Sequence, residues 1–161
     1  VFINIINQAE RYVYITTPYL IIDYSLCEAL KCAAERGVDV RIITPGIPDK
    51  KQIKVMTKSS YPTLMESGIR IFEYLPGFIH EKLMAADDLY AVVGTINLDY
   101  RSLVHHFEDG LWMYNTPTVK DIKEEFLKTV AVSDEIDEEE ARLTPFEGLV
   151  KILIRLFAPL L

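Results

Sequence analysis

At 161 residues, half of them hydrophobic, the chain has the composition of one globular domain with a core of its own. Its 24 acidic against 17 basic residues, net −7, argue against a sequence-blind nucleic-acid binder, which would carry a basic face, so no nucleic-acid partner is expected. No run of about 20 apolar residues marks a membrane span and no secretory leader is present; a start at Val1 rather than Met suggests a piece of a longer protein.

In chain order, Val1–Glu10 has apolar residues at helical spacing and reads as a short helix. Tyr12–Thr16 reads as a strand, ended by Pro18. Asp23 or Ser25 caps a helix that runs to Arg36, with Gly37 where a stop belongs. Cys27 and Cys32 lie on that helix without a CxxC or histidine partner pattern, so they read as reduced, partly buried thiols of a cytoplasmic compartment rather than a metal site. Val38–Thr44 alternates and suits a central strand, and the strand–loop–helix–strand order predicts a parallel crossover. Pro45–Lys51 is a Pro/Gly loop. Loops after the carboxyl ends of parallel strands commonly build active sites, so Tyr19 and this loop are expected to border the pocket. From Arg41 to Lys58 five basic residues stand against Asp49 alone, which fits either an anionic head-group surface or a solvated helix face. Ile53–Glu66 is helical with a break at Pro62, Gly68 stops it, and Ile69–Tyr74 is a strand.

That strand leads into FIHEKLMAADDLYAVVGTINLDYRSLVHHFED, Phe78 to Asp109. His80, Lys82 and Asp87 form H-x-K-x(4)-D, Gly94, Thr95 and Asn97 form G-T-x-N, and Glu108 lies eleven residues beyond Asn97. Residues two apart on a strand share a face, so His80 and Lys82 project together. Asp87-Asp88 signals a turn, Leu89–Ile96 a return strand with Thr95 and Asn97 in one parity, and Phe107–Tyr114 a third strand adding Glu108. Such a hairpin gathers an imidazole, an ammonium, a hydroxyl, an amide and a carboxylate at one end of a sheet. An imidazole can attack phosphorus, a lysine can hold phosphoryl oxygens with Thr95 and Asn97, and Glu108 can orient the imidazole through its second nitrogen. This set requires no metal or other cofactor. Chance recurrence of a short motif on a solvated strand face is the competing explanation.

Beyond the motif, Arg101 is expected to pair with Asp99 or Glu108. His105 and His106, adjacent on a strand, would face opposite ways and read as structural or surface residues. Thr116–Val130 reads as a helix capped at Thr116 or Thr118. Asp134–Glu140, six carboxylates in seven residues, reads as a solvated segment. Phe146–Phe157 places Leu149, Val150, Ile152, Leu153, Leu156 and Phe157 around Lys151 and Arg155, an amphipathic helix suited to a protein partner, the sheet or a membrane surface.

The fold class read from these elements is α/β, a mixed sheet with helices on both faces, as one domain over 1–161. H-x-K-x(4)-D followed by G-T-x-N resembles the phospholipase D superfamily and its HKD motif. TTPYLIIDYSLCEALKCAAERGVDVRIITPGIPDKK and VGTINLDYRSLVHHFEDGLWMY look like the second catalytic half of bacterial cardiolipin synthases, over nearly the whole chain. The resemblance implies a catalytic set of His80, Lys82, Asp87 and Glu108, with His80 as nucleophile or general acid, Glu108 as its orienter and Asp87 more structural. It makes Lys82, Thr95 and Asn97 the phosphate binders. Glu81 stands where the family pattern has Ala, and it should face away from the phosphate. The implied partners are phosphatidylglycerol or another anionic phospholipid, the membrane surface, and a missing N-terminal HKD half or a homodimer partner. The implied location of the full-length protein is the bacterial cytoplasmic membrane. A phospholipase D-type phosphodiesterase, a homodimeric single-motif nuclease and a lipid-binding module are the alternatives to phosphatidyl transfer.

Overall fold

The computed structural model describes residues 1–155. Helix α1 (Phe2–Gln8) leads into β1 (Tyr12–Thr16), all five residues of which are buried. A two-residue β2 (Leu20–Ile21) precedes α2 (Tyr24–Glu35), which Asp23 caps by accepting from the Leu26 N–H at 2.8 Å. Leu26, Ala29, Leu30 and Ala33 recur at helical spacing and form its buried stripe. Cys27 is half-buried, but Cys32 lies off that stripe and is exposed, contrary to the sequence expectation of two partly buried thiols. Gly37, at φ +90°, turns the chain into β3 (Asp39–Pro45), parallel to β1. The interrupted helix resolves into α3 (Lys51–Lys58) and α4 (Tyr61–Met65). The break falls at Ser59–Ser60, because Pro62 sits in the first turn of α4, where its missing N–H is tolerated.

Strand β4 (Arg70–Tyr74) lies parallel to β3, and β5 (Leu83–Ala86) and β6 (Tyr90–Gly94) form an antiparallel hairpin. The short β7 (Leu98–Asp99) pairs with β2, outside the main sheet. A single π-helical turn, Arg101–His105, separates it from β8 (Gly110–Tyr114). Helix α5 (Pro117–Val130), β9 (Ser133–Glu135), α6 (Glu138–Ala141) and α7 (Pro145–Arg155) complete the described chain. The main sheet runs β8-β6-β5-β1-β3-β4-β9, with β1, β3 and β4 parallel and the outer strands antiparallel to their neighbours. Alternation along β1 divides the core. Val13 and Ile15 join Ile6, Leu30 and Leu64 of α1, α2 and α4, whereas Tyr12 and Tyr14 face Phe126 of α5. The Tyr14 and Phe126 rings stack at 4.7 Å, and the sheet carries helices on both faces as expected.

The acidic run is more than a solvated segment. Arg70 forks onto Glu135 at 2.7 and 2.6 Å, which allows Ser133–Glu135 to pair with β4 as an edge strand. Asp137 and Glu140 then cap α6 reciprocally. Arg41 and Lys54 are ion-paired within the domain, with Asp39 at 2.8 Å and Glu73 at 2.6 Å, so these two of the five cations in the basic stretch are already engaged. Helix α7 lies against α3 and exposes Phe146, Leu149 and Ile152; Leu156 and Phe157 of the expected helix lie outside the described residues. No helix among the described residues is long and apolar enough to cross a membrane.

Candidate active site

The register brings four chain segments to one end of the sheet. Thr16 at the carboxyl end of β1 pairs with Leu83 at the start of β5, Leu83 pairs with Val93 near the end of β6, and Gly94 pairs with Gly110 at the start of β8. The polar motif residues lie just beyond these strand ends rather than within the strands. His80 and Lys82 occupy the extended segment before β5, Thr95 and Asn97 follow β6, and Glu108 precedes β8. The strands expected over Leu89–Ile96 and Phe107–Tyr114 are shorter because Thr95 and Asp109 lock their ends together. The Thr95 N–H donates to the Asp109 carbonyl at 2.8 Å, and the Asp109 N–H donates to Thr95 Oγ1 at 3.0 Å. This crossing is why the motif opens on glycine: a Cβ at Gly94 would collide with the Asp109 carbonyl and stand 2.7 Å from Gly110 Cα.

Lys82 Nζ donates to the His80 carbonyl at 2.6 Å and stands 2.9 Å from His80 Nδ1. An ammonium offers only donors, so Nδ1 accepts in this contact and the neutral ring carries its proton on Nε2. Burial lowers the Lys82 pKa, and the negative charge of Glu108 partly offsets that shift. Glu108 does not bond His80, unlike the arrangement expected from the resemblance. Its Oε2 accepts from the Thr95 hydroxyl, and its Oε1 lies 3.3 Å from His106 Nδ1. The Thr95 hydroxyl, chiefly, holds the Glu108 carboxyl below the usual range, so it is an anion at neutral pH. Thr95 therefore spends its proton on Glu108 in this state. Asn97 Nδ2 donates to Ser102 Oγ at 3.3 Å, while its buried Oδ1 has no hydrogen-bond partner among the described residues.

Glu81 is half-buried, turned toward α5, where burial first and the charge of Glu125 second raise its pKa. Arg101 does not pair with Asp99 or Glu108. The π turn brings residues five apart together, so the His106 N–H meets the Arg101 carbonyl and Arg101 Nε donates to His106 Nε2 at 2.7 Å. His106, expected to be structural or surface, thus belongs to the rim of the site through Glu108. Sequence spacing carried no signal of it, since an i+5 turn has no local signature. His105 packs edge-on against Tyr100 instead. Among the described residues no group of three His, Cys, Asp or Glu side chains could hold a metal ion.

Asp87 is not part of this constellation. It sits in the β5–β6 turn, four strand residues from Lys82 at the opposite end of β5, at φ 59°. Its carboxylate accepts from the backbone N–H groups of Glu10, Arg11 and Tyr12 at 2.7, 2.9 and 2.9 Å, fastening the start of β1. Asp87→Ala is expected to lower stability by about 2–3 kcal/mol, and Asp87→Asn by less, because one acceptor oxygen remains. Urea unfolding measures both; an unchanged midpoint in Asp87→Ala would remove this anchoring role.

The family model described as cardiolipin synthase, phospholipase D-like domain, matches residues 2–130. An uncharacterized protein of Streptococcus mutans serotype c is 50% identical over 100% of this chain and 35% of its own length. A cardiolipin synthase of Geobacillus sp. is 38% identical over 97% of this chain and 31% of its own length. The chain thus spans about a third of these relatives. Among solved structures, a phospholipase D family member, Nuc, from Salmonella typhimurium superposes with a TM-score of 0.74 at 17% identity, covering 85% of this chain and 89% of that one. At that identity the likeness concerns the fold alone.

Proposed function

The chain belongs to the cardiolipin synthase family with a phospholipase D-like domain, and from that premise we propose that it supplies one half of a two-histidine site transferring phosphatidyl groups between phosphatidylglycerol molecules. One imidazole attacks phosphorus and forms a P–N bond, the P–O bond to the head-group glycerol breaks, and the opposite histidine protonates the departing alkoxide. A hydroxyl of a second phosphatidylglycerol then attacks the phosphohistidine and gives its proton back to that second histidine, so the P–N bond breaks. The products are cardiolipin and glycerol.

The observation that carries this reading is the His80–Lys82 contact, set at the same sheet end as Thr95, Asn97 and an ionised Glu108. Lys82 rests on the His80 ring. A bound phosphate draws the ammonium to its own oxygens and frees Nδ1 to take a proton while Nε2 releases its own to solvent, so that the unprotonated Nε2 is the reacting atom. Asn97, with Thr95 once released from Glu108, adds donors to the phosphoryl oxygens. The exposed Val104, Phe107, Leu111 and Trp112 beside Glu108 and along edge strand β8 suit a covering second half.

The test uses vesicles of phosphatidylglycerol labelled in the head-group glycerol, with the complete two-motif enzyme. One glycerol released per cardiolipin formed is the expected result, and it should persist in a strong chelator because Lys82, Thr95 and Asn97 do the charge stabilisation. Phosphatidic acid as the main product would assign water as acceptor. Chelator-sensitive cleavage of a soluble phosphodiester, restored by zinc, would contradict the metal-free mechanism.

A further inference from the structure

His106 is set between a cation and a carboxylate. Arg101 Nε donates to its Nε2 at 2.7 Å, and its Nδ1 stands 3.3 Å from Glu108 Oε1. A guanidinium carries donors only, so Nε2 has to accept and the neutral ring keeps its proton on Nδ1. Nδ1 then donates to the carboxylate. The backbone builds both contacts. The π turn closes Arg101 on His106, whose N–H donates to the Arg101 carbonyl at 2.9 Å. His106 itself has extended backbone, and residues two apart on an extended segment share a side, so its ring meets the Glu108 carboxylate. Arg101, His106 and Glu108 thus form one chain of hydrogen bonds, and the Thr95 hydroxyl closes its far end.

In the transfer reading above, Thr95 turns its proton to the phosphoryl oxygens, and Glu108 loses that partner during the reaction. Resting on that reading, we infer that His106 is a positioning residue: with its tautomer fixed by Arg101, it holds Glu108 in place while Thr95 serves the phosphate. The Thr95 hydroxyl first, with Ser102 and His106 after it, outweighs burial in keeping the Glu108 carboxyl ionised, so His106 is one of the donors left when Thr95 departs. His106 acts through Glu108 and touches no reacting atom. The charge of Glu108 in turn partly offsets the burial that lowers the Lys82 pKa. A carboxylate that swings away withdraws that support from Lys82 at the moment it faces the transferred phosphoryl group, so the loss falls on turnover rather than on substrate binding.

Two substitutions separate the two ring nitrogens. His106→Asn carries an amide N–H where Nδ1 stands and keeps the donor to Glu108, whereas His106→Gln reaches toward Arg101 and loses that donor. In the complete enzyme, His106→Ala and His106→Gln are each expected to lower kcat about tenfold with KM changed less than about twofold, and His106→Asn to stay within about threefold of the parent. Unfolding curves check that the variants fold, and the contrast between Asn and Gln carries the test if the Ala variant does not. Imidazole nitrogen chemical shifts, read on the chain itself, are expected to show His106 protonated on Nδ1, and Arg101→Ala to admit the Nε2–H form. Three results would each overturn the positioning role while leaving phosphatidyl transfer standing: a proton on Nε2 of His106 in the parent chain, unchanged kcat in His106→Ala, or an Asn variant no better than the Gln variant. If the complete enzyme forms no cardiolipin, the transfer reading fails and takes the positioning role with it, whatever the nitrogen shifts show.

Discussion

His80→Ala is expected to abolish phosphatidyl transfer by the complete enzyme while leaving the domain folded. His80 is exposed, lies outside every helix and strand, and among the described residues its ring bonds only Lys82, so its removal opens no cavity and orphans no buried group. On the proposed mechanism its loss removes one of two reacting imidazoles, and the other two histidines of the chain are engaged elsewhere. His106 is held by Arg101 and Glu108, and His105 lies against Tyr100. Lys82→Ala should cost about 10²–10³ in turnover, the usual loss for one charge-stabilising donor in a sheltered site. Circular dichroism and an unfolding curve check the fold, and cardiolipin formation checks the chemistry. Turnover retained in His80→Ala would reassign the site.

Much of this arrangement was legible in the chain because the physics is local. Five buried residues in alternating faces identify β1, the Asp23 cap and Gly37 bracket α2, and the turn at Asp87-Asp88 closes the β5–β6 hairpin at the expected place. The spacing of His80, Lys82, Thr95, Asn97 and Glu108 placed all five at one sheet end, where the register puts them. What escaped is non-local. Strand β9 exists because Arg70, 65 residues away, meets Glu135. The partners of Glu108 follow from a π turn and from the close crossing at Gly94 and Gly110, neither of which has a local signature. Asp87 belongs to the motif by spacing yet acts on the backbone of residues 10–12, because a strand of β5's length carries it away from the sheet end that holds His80 and Lys82.

The chain alone is expected to make no cardiolipin at a useful rate. Attack on phosphorus and departure of the alkoxide are in line, so one imidazole cannot serve both sides. The sequence holds three histidines and a single H-x-K-x(4)-D, which leaves the opposite position to a second motif from the N-terminal half of the enzyme or from another copy across a two-fold interface. The apolar edge at Leu111, Trp112 and Tyr114, continued by a fully exposed Phe107, is the surface such a partner would cover. Left uncovered, it should promote self-association. Cardiolipin formed in phosphatidylglycerol vesicles, measured for the chain alone and after mixing with a separately expressed N-terminal half, tests the two-motif account most directly. The account predicts little product from the monomeric chain, recovery on mixing, and no recovery when the chain carries His80→Ala; full synthesis by the monomeric chain alone would contradict it.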